Sequence, residues 1–127
     1  MLALYDAGPS QLRASKPYWL NRFKEDGFWL EDLTDRPVNH LSASDRRRAR
    51  LDAVPDAITR IRAPQPSIGV VVCHTAIFWA LSKSLETGPG VSLHDRPIPF
   101  PLGNHRTQFV KLVCQAMHGA GVEVPLN

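Results

Sequence analysis

The sequence predicts an α/β domain: a small three-layer α/β/α arrangement around a parallel sheet of three or four strands. Three observations predict it. Short apolar runs rich in valine and isoleucine, residues 68–73 above all, have the length and composition of buried strands. Stretches with apolar residues at helical spacing stand between those runs. Strands and helices alternating along a chain imply a parallel sheet covered by helices.

The elements follow in order. Met1 to Tyr5 is apolar and reads as a short strand, or as the end of an element that begins upstream. Gly8, Pro9 and Ser10 mark a turn. Residues 12–26 read as a helix that is interrupted or restarted at Pro17, with Trp19, Leu20 and Phe23 as its apolar face. Gly27 closes it as a C-terminal cap, and residues 28–33 then read as a buried strand. Ser42 to Asp45 resembles a capping box with aspartate in the reciprocal position. The helix it opens carries Leu51, Val54, Ile58 and Ile61 on one side and is kinked or restarted at Pro55.

Pro64 and Pro66 end that helix, and residues 68–73 form the central strand, with His74 and Thr75 at its C-terminal end. A helix over 76–85 and a weaker strand over 91–94 come next. The last helix carries Phe109, Val110, Leu112, Val113 and Met117 as a stripe and stops at Gly119 and Gly121, with an edge strand over 122–124. The whole chain, residues 1–127, is expected to be one domain.

Composition narrows the function. A chain of 127 residues that is 43% apolar can bury one modest core. It has no apolar run of the ~18 residues a membrane span needs, so no membrane partner is expected. The start has no basic-then-apolar leader pattern. Cys73 and Cys114 lie far apart in apolar segments and read as reduced core thiols of a cytoplasmic protein, with no metal or cofactor site. The net charge is +3, and eleven of the fifteen basic residues are arginine, the side chain suited to bidentate phosphate contact. Six of them, Arg46, Arg47, Arg48, Arg50, Arg60 and Arg62, fall on one helix. They read either as a solvated face or as a phosphate-contacting surface.

Residues 93–110 hold the densest run of special residue types, with Pro97, Pro99 and Pro101 making a stiff extended rod that ends at a helix start. The segment reads either as a plain stiffened connection or as a ligand-binding loop of the kind found beyond strand ends in α/β folds. Three segments stand in this order: the glycine-led Gly27-Phe-Trp-Leu-Glu-Asp32, the apolar strand 68–73, and Pro99-Phe-Pro-Leu-Gly-Asn-His-Arg-Thr-Gln-Phe109. Together they resemble the uracil-DNA glycosylase superfamily, over roughly residues 15–118. In the last, Pro99, Pro101, Leu102, His105, Arg106 and Phe109 match the family's loop.

The resemblance implies DNA as partner and a base taken out of the stack. Leu102 would be the wedge that fills the vacated space, the amides of Gly103 and Asn104, with Arg106, would meet a phosphate, and His105 would either point to that phosphate or cap the helix. Asp32 and Phe100 would line the base pocket, Asp32 as a buried carboxylate needing donors or a raised pKa.

Departures accompany the matches. The loop histidine of active members is here Ile98, and the loop serine is Phe100. The family's water-activating motif lies upstream of the glycine-led strand, and the 26 residues before Gly27 contain nothing like it, as a truncated chain would show. Catalysis is therefore left open, with His94, His74 and Asp32 as candidates to replace the missing groups. The expected function is DNA base recognition with N-glycosidic hydrolysis in repair. The alternatives are a catalytically inactive nucleic-acid or nucleotide binding module, and an orphan α/β interaction domain.

Overall fold

The computed structural model describes residues 1–126. The chain divides into two compact units, one formed by Met1–Leu30 with the segment from Pro101 onward, the other by Glu31–Phe100.

In the first unit, α1 (Pro9–Ala14) and α2 (Lys16–Glu25) meet at Ser15, and Pro17 stands in the first turn of α2, where its missing N–H leaves no helical bond unmade. The restart read at Pro17 is therefore the observed one. Gly27 takes φ +89° and closes α2: its N–H bonds the Lys24 carbonyl, and the Phe28 N–H bonds that of Phe23. This is the Schellman pattern, completed by Phe23 stacked on Phe28 at 5.1 Å. Residues 1–7 bury Ala3, Leu4, Tyr5 and Ala7. The hydroxyl of Tyr5 donates to Asp26 at 2.7 Å, while its ring meets Trp19 and lies under the guanidinium of Arg22.

Gly103–His105 form one 3₁₀ turn leading into α5 (Arg106–Gly119), whose buried face is Phe109, Val113, Ala116 and Met117. A second Schellman closure ends it, with Gly121 at φ +80° and the N–H of Val122 on the Met117 carbonyl. Cys114 Sγ donates to the Ala3 carbonyl, and Leu126 N–H to that of Leu4. Together these bonds tie the two chain ends of this unit.

In the second unit, α3 (Ala43–Arg62) and α4 (Thr75–Leu81) pack on each other. Ser42 Oγ accepts from Asp45 N–H, one half of the capping box read in the sequence. A single helix runs through Pro55, and Thr59 Oγ donates to the Pro55 carbonyl. The core gathers Leu33, Ala57, Val72, Phe78, Leu81 and Leu85, with Val54, Ile58 and Ile61 of α3 packed against it.

The expected three-layer α/β/α domain is not what forms. Among the described residues there are helices and two isolated parallel bridges, Tyr5 with Leu126 and Val70 with Ser92, and no sheet. The segments expected at 28–33 and 122–124 form no strand. Those at 68–73 and 91–94 do run side by side, with Val70 N–H on the Val91 carbonyl and Leu93 N–H on that of Val70. The ladder stops after one step because the next inward amide, Val72 N–H, is taken by the side chain of His94 at 3.0 Å. Beyond His94 the chain enters the proline rod, and Pro97, Pro99 and Pro101 have no N–H to offer a neighbour.

Candidate nucleic-acid interface

The six arginines of α3 divide into two kinds. Arg60 is clamped: its guanidinium bonds Glu31, Asp56 at 3.0 Å, and the carbonyls of Asp32 and Leu33. Arg62 reaches across to the carbonyls of Ser84, Thr87 and Pro89. Both use the fork of donors to hold loops onto the C-terminal half of the helix. The side chains of Arg46, Arg47, Arg48 and Arg50, in the N-terminal half, make no hydrogen bond or ion pair with the described residues. Their charge is available to an outside anion.

Arg50 is near enough to His74 for its charge to act on the ring. Burial first, and Arg50 second, push the His74 imidazole below its ordinary value, so the ring is neutral at physiological pH. Its Nδ1 accepts from the N–H groups of Ala76 and Ile77, which puts the proton of the neutral ring on Nε2. The ring centroid lies 6.4 Å from that of Phe100, which is 50% exposed. Trp79, on the helix that His74 opens, is 62% exposed. One unit thus carries unpaired arginines, a histidine N–H and two exposed aromatic faces.

The other residues expected at a site are placed as follows. Asp32 is exposed, not buried, and its backbone carbonyl, not its carboxylate, meets Arg60. Ile98, expected where the resembled loop carries a histidine, is 1% exposed and sits in the core. His94 spends both ring nitrogens on backbone: Nε2 on Val72 N–H and Nδ1 on the Arg96 carbonyl at 2.7 Å. Pro99 is half-buried. An open groove of about 450 Å³ runs between residues 34–41 and α3, and none of Asp32, His74, His94 or Phe100 lines it.

The boundary between the units falls after Phe100, so residues 101–106 belong to the other one. There Leu102 is 66% exposed and precedes Gly103 at φ +56°, while Asn104, His105 and Arg106 are exposed. Leu102 accepts the N–H of His105 through its carbonyl, which makes the 3₁₀ turn.

Trp79 is the residue that sequence reasoning passes over. The signal was present: Ile77, Phe78 and Trp79 are consecutive and span about 200° of a helix, wider than one apolar stripe, so one of the three is left outside it. Among the described residues no cluster of histidine, cysteine, aspartate or glutamate could hold a metal ion, and no helix is long and apolar enough to cross a membrane. Comparison of the chain with protein-family models, with curated proteins and with solved structures finds no match.

Proposed function

We propose that this chain is a nucleic-acid-binding module whose Glu31–Phe100 unit holds single-stranded DNA by phosphate neutralisation and base stacking, without cleaving it. The observation that carries the reading is the pairing of four uncommitted arginines on α3 with exposed Phe100 and Trp79 in the same unit. Arginine neutralises backbone charge and aromatic faces stack on bases of any identity, which is the general chemistry of single-strand binding. Non-catalytic binding fits the residues better than hydrolysis does. Ile98 cannot donate to a departing base, and His94 is committed to Val72 and Arg96.

A second reading, N-glycosidic hydrolysis of a flipped base, is favoured by the exposure of Leu102 at the end of the proline rod, where a wedge would stand. One titration separates the two. Short uracil-containing oligonucleotides, single and double stranded, are added to the native chain and to F100A and W79A, with free uracil measured alongside binding. The binding module predicts saturable binding to single strands and no uracil, with each aromatic replacement costing about 1–3 kcal/mol of affinity. Uracil release by the native chain would establish hydrolysis instead. Equal affinity of native chain and both variants would remove the stacking surface.

A further inference from the structure

Two histidines of the Glu31–Phe100 unit hold backbone amides with the lone pair of a neutral ring, and both act on α4. His74 Nδ1 accepts from the N–H of Ala76 at 3.2 Å and of Ile77 at 3.4 Å, the first turn of that helix. His94 Nε2 accepts from Val72 N–H at 3.0 Å, ending the bridge between residues 70 and 92. The His94 ring also stacks on Phe78 of α4, with centroids 5.1 Å apart and planes at 24°. Phe78 is 3% exposed and belongs to the unit's core. A proton placed on either accepting nitrogen turns an acceptor into a donor that faces another donor, so the bond is lost and not merely weakened.

We propose that these two rings are an acid-sensitive latch: neutral His74 and His94 hold the start of α4 and the end of the 70–94 crossing closed, and their protonation releases both. The groups that meet His74 oppose the proton. Arg50 on α3 is a cation, Phe100 is apolar, and α4 has no charged residue. Those that meet the His94 ring are the phenyl of Phe78, the N–H of Val72 and the carbonyl of Arg96, with Asp95 and Arg96 as chain neighbours. Cys73, beside His74, has its thiol pushed up by burial and stays neutral throughout the acid range.

The sign follows from the lowered His74 value. Near the ordinary histidine value of 6.5 the unfolded chain binds more protons than the folded one. The stabilisation from this ring is therefore full above that pH and is lost as the pH falls through and below it. The other unit supplies a control. His118 Nε2 lies 3.2 Å from the Val124 carbonyl, an acceptor that a protonated ring satisfies equally well.

The test is amide hydrogen exchange on the native chain between pH 7.5 and 5, read as protection factors so that intrinsic exchange is divided out. Protection of Val72, Ala76 and Ile77 should fall by about tenfold, the equivalent of one net hydrogen bond, while that of Val113 in α5 holds. In H74N/H94Q, where amide oxygens replace the ring acceptors and do not titrate in this range, protection should no longer depend on pH. Unchanged protection of the three amides in the native chain would overturn the latch, whatever the variant does. So would an equal fall at Val113, or the same acid response in H74N/H94Q.

Discussion

Arg60 and Arg47 stand thirteen positions apart on one helix and do opposite work. The first spends its donors on Glu31, Asp56 and two carbonyls, while the side chain of the second makes no hydrogen bond or ion pair with the described residues. R60A should therefore cost roughly 2 kcal/mol of stability, because truncation leaves the part-buried Leu33 carbonyl and the Glu31 carboxylate without their donor. R47A should stay within about 0.5 kcal/mol. Chemical denaturation of the two variants compares them directly, and equal destabilisation would mean that Arg60 is no staple. The sequence shows six arginines at helical spacing and cannot rank them. Their partners, Glu31 and the 84–89 loop, lie more than twenty positions away, and only the fold brings them near. The same is true of His94, whose lone pair finds Val72 across a turn that no local pattern encodes.

Helices were legible because their signals are local. Ser42, Pro17, Gly27 and Gly121 mark starts and stops through backbone chemistry confined to one turn, and the structure uses each of them. Gly27 offers a clean check. Its φ of +89° favours glycine, and a Cβ there would meet nothing within 4 Å, so any cost is conformational. G27A should lose about 1 kcal/mol, whereas G119A, inside α5 and with nothing within 4 Å of the added Cβ, should be neutral or stabilising. Thermal unfolding of both distinguishes this from a packing role for Gly27. The sheet was misread for a complementary reason. Valine-rich runs report burial, and burial was right for Val72, but whether neighbouring amides pair in a ladder depends on non-local donors. Here a histidine side chain and three prolines remove those donors after one bridge.

At the scale of the molecule, the loop over residues 99–109 spans the boundary between the two compact units. Phe100 closes one compact unit and Leu102 belongs to the other, although two positions separate them. The Glu31–Phe100 unit holds the uncommitted arginines, His74, Trp79 and Phe100, and the proposed function rests on their lying in that one unit. Its charge component makes a quantitative demand, since each phosphate neutralised adds about 0.7 to the slope of log affinity against log salt for single strands. The most direct measurement is that slope for the native chain and for R47A/R48A, whose exposed side chains can be removed without touching the core. A binding face on α3 predicts a negative slope that becomes shallower by about 1.4 in the double variant. A slope identical in both proteins, or affinity indifferent to salt, would contradict it.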